Sequence, residues 1–317
     1  AEAALRDASD AAGYATDAFE KATGASQLAK KAYGKLNASY FSAVDLQGKT
    51  EQAVADADDA VFLMEAEGGD QDYAGVATLC DSAATSADAA KALAQRIGAE
   101  ATEAIRFAQE ALQRVNEATP LAGEASKKAT GAQAKAEEAA QKARAVETNS
   151  DTEQKAMLAV AAASAAVEKA GQAVDMVLVV KAAVDALEQS AQLAVGHSGV
   201  VLESATNVSR AATDAKEYAQ KVAANASGPE ADRQRAQESA SAAVGYASTA
   251  TERSRQVHVD IFDALEQSEK LSGDIGTVAA LLDTFRTSAT RAREQANAAK
   301  GAAETALAQA EEEWRQD

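Results

Sequence analysis

The chain has 317 residues and a net charge of −18; roughly one residue in four is alanine, aromatics make up 4%, and prolines number two. That charge argues against nucleic-acid binding, which needs a basic stripe to displace counterions, and against lying on an anionic membrane surface. A single cysteine, Cys80, excludes an intramolecular disulfide, and no run reaches the roughly 18 apolar residues of a membrane span.

Alanine, Glu, Lys, Gln, Arg and Leu dominate, and these residues lose least on entering a helix. Turn signals divide the chain. The first predicted helix, 2–65, stops at Glu67-Gly68-Gly69-Asp70-Gln71-Asp72, where two glycines end it and Asp72 caps the next. The second, 73–147, carries Thr119-Pro120, read as a kink or short break. It ends at Thr148-Asn149-Ser150-Asp151-Thr152-Glu153, where Ser150 and Glu153 stand at capping-box spacing. The third, 153–225, stops at Asn225-Ala226-Ser227-Gly228-Pro229, and Pro229 opens the fourth, 230–315. At 1.5 Å per residue each is on the order of 95–130 Å long. Near-equal lengths and short loops predict an all-α, elongated antiparallel bundle, up-down-up-down, forming one domain over 1–317. The count stays at three to four helices, because a three-helix bundle with one segment folded back meets the same signals.

Folded at those loops, the bulky residues come to one level, a predicted central belt. It takes Phe19, Leu28, Leu36 and Phe41 from helix one, and Ile97, Ile105, Phe107, Leu112 and Val115 from helix two. Helix three adds Val174, Val177, Leu178, Val180, Val184 and Leu187. Helix four adds Val257, Ile261, Phe262, Leu265, Leu271, Ile275, Val278, Leu281, Leu282 and Phe285. Val160, Val167 and Val174 recur every seven residues, with Ala163, Ala170, Val177 and Val184 interleaved, which predicts a heptad seam. Away from the belt the seam is nearly all alanine, so helices approach closely and stabilisation is spread over many small contacts.

Signatures of chemistry are missing: no phosphate loop, dinucleotide fingerprint or nucleophile elbow occurs. His197, between Gly196 and Gly199, predicts a bulge or a weak point in a long helix; His258 is placed near the belt. Neither has metal-ligand spacing. Acidic runs such as Asp56, Asp58 and Asp59 read as solvated helix faces. The reading is therefore non-enzymatic, with no catalytic, cofactor or metal residues. Cys80, in Val76-Ala77-Thr78-Leu79-Cys80, reads as a small buried hydrophobe, with an intermolecular disulfide and a homodimer left open.

Three Asn-x-Ser sequons mark candidate N-glycosylation sites at Asn37, Asn207 and Asn225. In the folded scheme all three lie in one half of the bundle and both termini at the other end, the layout of an anchored surface protein. The chain opens on Ala1 rather than Met, read as the start of a processed or trimmed ectodomain. Candidate partner contacts are Gly68, Gly69, Asp70, Tyr73, Ser227 and Gly228 at the loop end, with Phe62 and Tyr218 beneath; a lateral site near His197 comes second.

Segments such as Ala125-Ser126-Lys127-Lys128-Ala129-Thr130-Gly131-Ala132 and Gly301-Ala302-Ala303-Glu304-Thr305-Ala306-Leu307 resemble the alanine-rich surface glycoproteins of African trypanosomes. That group includes the glutamate/alanine-rich protein, the alanine-rich protein of insect-stage cells, and relatives with the same helical-bundle scaffold such as the haptoglobin–haemoglobin receptor. The resemblance implies an extracellular ectodomain on the parasite surface, reaching the membrane only through a C-terminal anchor beyond this chain. It implies a coat component or a binder of a host or vector protein. Receptors of that group usually carry disulfides; their absence here favours the coat side. The alternative is an intracellular helical scaffold that docks partner helices.

Overall fold

The computed structural model describes residues 1–65, 72–145, 150–224 and 230–316. Four helices, α1 (Glu2–Glu65), α2 (Tyr73–Arg144), α3 (Ser150–Ala224) and α4 (Glu230–Gln316), pack against each other. The described residues contain no strand. The fold is an all-α bundle of four helices, with bounds within a few residues of those the turn signals predict.

Local chemistry accounts for the helix starts and for the proline. Asp72 caps α2 as expected: its Oδ1 accepts from the Gly75 amide at 2.8 Å and its backbone carbonyl from the Val76 amide at 2.9 Å. A Cβ at 75 would stand 2.4 Å from Asp72 Oδ2, so any larger residue there would push the capping carboxylate aside. Glu153 does not close a capping box; its carboxylate pairs with Arg144 of α2 instead. α2 runs on through Pro120. Pro120 and Asn116 are both exposed, so water can serve the carbonyl that the proline leaves without a donor.

The chain divides into two compact units, and each helix supplies a segment to both. The first comprises Ala1–Lys30, Gln109–Val184 and Lys270–Asp317. Its layers are alanine quartets: Ala4, Ala136, Ala159 and Ala296 pack together, as do Ala8, Ala132, Ala163 and Ala292. Numbers rise on α1 and α3 while they fall on α2 and α4, so neighbours in sequence run antiparallel.

The second unit comprises Lys31–Ala108 and Asp185–Glu269. Ala53, Ala87, Val208 and Ala247 form one layer, and Ala57, Ala83, Ala212 and Ala243 the next, in the same alternation of direction.

Within each unit the buried positions advance by alternating fours and threes, as in Ala4, Ala8, Ala11, Ala15, Ala18 and Ala22, or Ala43, Leu46, Thr50, Ala53, Ala57 and Ala60. That is a heptad seam. The predicted period is right, and Ala163, Ala170 and Val184 are buried in the seam as expected, but the other predicted set on α3 is displaced by one residue. Ala159, Ala166 and Ala173 are buried, whereas Val160, Val167 and Val174 sit at the flank, partly exposed. The small side chain takes the narrow core position and the branched one covers it from the side. Large core residues are set against alanines; Leu282 shares a small void with Ala122 and Ala173 in the first unit.

Candidate functional site

Not every bulky residue assigned to the belt is in a core. Leu36, Ile97, Leu187, Ile261, Leu271, Ile275, Leu282 and Phe285 are fully buried, but Phe41, Phe262 and Leu178 are exposed by 61%, 52% and 76%. The heptad seam positions of α1 at this level are Leu36, Ser39, Ala43 and Leu46, all buried. At 100° per residue Phe41 falls on the opposite side of the helix from them. The same outward stripe carries Tyr33, Asn37 and Val44, spaced by three and four residues, and all four are at least partly exposed.

In the second unit Tyr40, beside this stripe, meets α4. The Tyr40 ring makes an edge contact with Phe41 at 5.7 Å, another with His258 at 5.2 Å, and a tilted one with Phe262 at 6.2 Å. Such geometries match the ring quadrupoles. A polar ladder borders the rings. Gln47 Nε2 donates to Glu51 Oε1 at 2.9 Å, so its own Oε1 is left to accept from His258 Nδ1 at 3.4 Å. Arg255 donates to the same Glu51 oxygen at 3.1 Å. The hydrogen bond from Gln47, then that from Arg255, holds the Glu51 carboxyl below its ordinary range.

The lateral site near His197 takes shape on the α3–α4 face. His197 Nδ1 stands 2.6 Å from Asp260 Oδ2, in a shallow depression with Arg253, Arg255, Gln256 and Val259. α3 is continuous through Gly196 and Gly199, with no bulge. Ser198, the adjacent hydroxyl, is buried on the core side and exposed by only 2%. The pair therefore links two helices; it does not assemble a nucleophile and its base.

Of the loop-end contacts, Gly68, Gly69, Asp70, Ser227 and Gly228 lie outside the described residues, as does the sequon at Asn225. Tyr73 is buried among Met64, Val76, Cys80, Ala219 and Ala240, and burial raises its phenol above the ordinary range. It is a core residue rather than an exposed contact. Phe62 is exposed by 73%. Tyr218 is partly buried beneath the Lys221 and Arg235 cations. Asn37 and Asn207 lie within α1 and α3, partly exposed.

The aromatic surface escaped the sequence reading because Phe41 and Phe262 were placed by level along the helix, not by face. Their offset from the heptad positions Leu36, Ala43, Ile261 and Ala264 was the signal that locates them. No protein-family model matches the chain, and no curated protein sequence matches it.

Proposed function

We propose that this chain is a non-enzymatic, extracellular ectodomain of a cell-surface glycoprotein, of the alanine-rich trypanosome type its sequence resembles. It acts as a coat component or by contact with a host or vector macromolecule. The observation that carries the reading is the setting of Asn37: a sequon asparagine, partly exposed, in the middle of an outward stripe of Tyr33, Phe41 and Val44. Two features add support. The buried positions are mostly alanine, which suits a slender helical bundle built for display, and the acidic surface favours solubility over adhesion to nucleic acid or anionic lipid.

A second reading rests on the same face. Phe41 and Phe262, with Val44 exposed by 45%, offer apolar area to a partner helix, as an intracellular scaffold would. Intact mass separates the two readings. The protein is secreted from a glycosylating eukaryotic host and weighed before and after N-glycan release. A mass loss mapping to Asn37 or Asn207 supports the ectodomain. An unchanged mass on folded, efficiently secreted protein sinks it in favour of the scaffold.

A further inference from the structure

We propose that the exposed aromatic stripe on α1 is the seat of the protein's own carbohydrate: the first N-acetylglucosamine on Asn37 lies against the ring of Phe41, with Tyr33 on its other side. This deepens the glycoprotein reading and rests on it.

The spacing makes the contact. Tyr33, Asn37 and Phe41 are four residues apart, so their Cβ atoms follow one another at about 5–6 Å along one face of the helix. Long side chains on a helix lean toward its N-terminus and cover the preceding turn. That direction carries the Phe41 ring over the turn that holds Asn37. Tyr40 meets Phe41 edge-on at 5.7 Å, and Phe41 remains 61% exposed, so ring surface is left over for another group. A pyranose suits it, because the weakly positive C–H groups on one side of the sugar face the negative face of the ring. The sugar is covalently tethered beside the ring, so its effective concentration there is high and little ordering entropy is lost on contact.

The other described sequon lacks these features. Around Asn207 the residues one turn away are Glu203, Ser204, Arg210 and Ala211, and Arg210 donates to Asn207 Oδ1 at 3.1 Å. One scaffold thus carries a sequon with an aromatic seat and a sequon without one. Order of events fits as well. Ser39, the third residue of the first sequon, is fully buried and donates to Glu100 at 3.1 Å. Transfer must precede folding of this segment, so the sugar is in place when the Phe41 face forms.

The test is a cycle on the full chain secreted from a glycosylating host. Asn37→Gln and Phe41→Ala are made singly and together, with Asn207→Gln as the comparison; Phe41 is exposed, so its truncation spares the core. Site occupancy is read by peptide mass and stability by melting temperature, including on protein trimmed enzymatically to one sugar per site. Asn37→Gln is expected to lower the melting temperature by about 2 °C. That loss should vanish in the Phe41→Ala background, and single-sugar protein should keep the stability of the untrimmed form. Equal losses with and without Phe41, on protein whose Asn37 is occupied, overturn the seat and leave the glycoprotein reading standing. An empty Asn37 beside an occupied Asn207 does the same. Empty sites throughout overturn both.

Discussion

Thr50 Oγ1 and Ser254 Oγ stand 2.9 Å apart, both enclosed, and join α1 to α4 inside the second unit. Each hydroxyl also lies 2.8–2.9 Å from a carbonyl of its own helix, Gln47 for Thr50 and Thr251 for Ser254. Each carries one proton. Whichever donates across the seam therefore gives up its own carbonyl bond, while the other keeps its bond and accepts. Removing one hydroxyl leaves the survivor a carbonyl to bond, so Thr50→Val or Ser254→Ala should cost only about 1 kcal/mol. The double variant should cost less than the sum, by roughly 0.5–1 kcal/mol, because the link is lost only once. Denaturant unfolding of the four proteins measures this; strict additivity would show that the two hydroxyls do not interact.

Phe285 is the largest fully buried side chain of the first unit. Eleven residues along from the quartet of Ala4, Ala136, Ala159 and Ala296, the same register brings it level with Ala15, Ala125 and Ala170, all buried. One ring against three methyl groups fills that layer. Phe285→Ala should cost about 3–5 kcal/mol, since such a site collapses only in part. Ala125→Leu alone should overpack the layer and cost about 1–3 kcal/mol. Added to Phe285→Ala it should instead restore stability, because the layer again holds one large side chain. A reversal of sign between the two backgrounds, read from denaturant midpoints, is the expected result. Destabilisation in both backgrounds would mean that the register assigned to this layer is wrong.

Helix bounds were legible because glycine, proline and capping residues act locally: Asp72 is read as a cap and is one, and no tertiary contact is needed to place it. Antiparallel order followed from loop length. Face was harder. In an alanine-rich heptad the core position and its flank differ little in hydrophobicity, so Val160 outranks Ala159 on any scale, although the narrow seam admits Ala159. Phe41 and Phe262 were misplaced for the same reason: size was taken as a sign of burial, where the three-four spacing alone decides the face. The His197–Asp260 pair could not be read at all, because it depends on which residues of two helices stand level.

Gly196 and Gly199 flank His197 within a continuous helix, and a Cβ built at either would meet nothing within 4 Å. Neither glycine is there to admit a neighbour. Each simply weakens α3, by about 0.5–1 kcal/mol relative to alanine. Gly196→Ala and Gly199→Ala should therefore stabilise the protein by about that amount each, and the pair roughly additively. Thermal unfolding reports the gain. A loss of stability on either change would show that this stretch needs the freedom glycine gives.

Cys80 is exposed by only 1%, among Met64, Val76, Ala77 and Val222, and burial pushes its thiol up from 9.0 to about 11. The charged form is disfavoured in the folded state alone, so the unfolded chain gives up this proton first as pH rises. Between about pH 9 and pH 11 the unfolded state binds fewer protons than the folded one, and stability must fall as pH rises through that window. At neutral pH both states hold the proton and the group contributes no pH dependence. The full effect is about 2–3 kcal/mol. Lysines and tyrosines titrate nearby in pH, so the measurement is the difference between the wild-type chain and Cys80→Ala at pH 7, 9.5 and 10.5. That difference should shift against the wild type as pH rises. The same burial sets the redox behaviour: a protonated, enclosed thiol neither attacks a disulfide nor reaches a second chain. Alkylation at pH 8 should be slow on the folded protein and fast after unfolding. Fast labelling of the folded protein would reopen a disulfide between two chains.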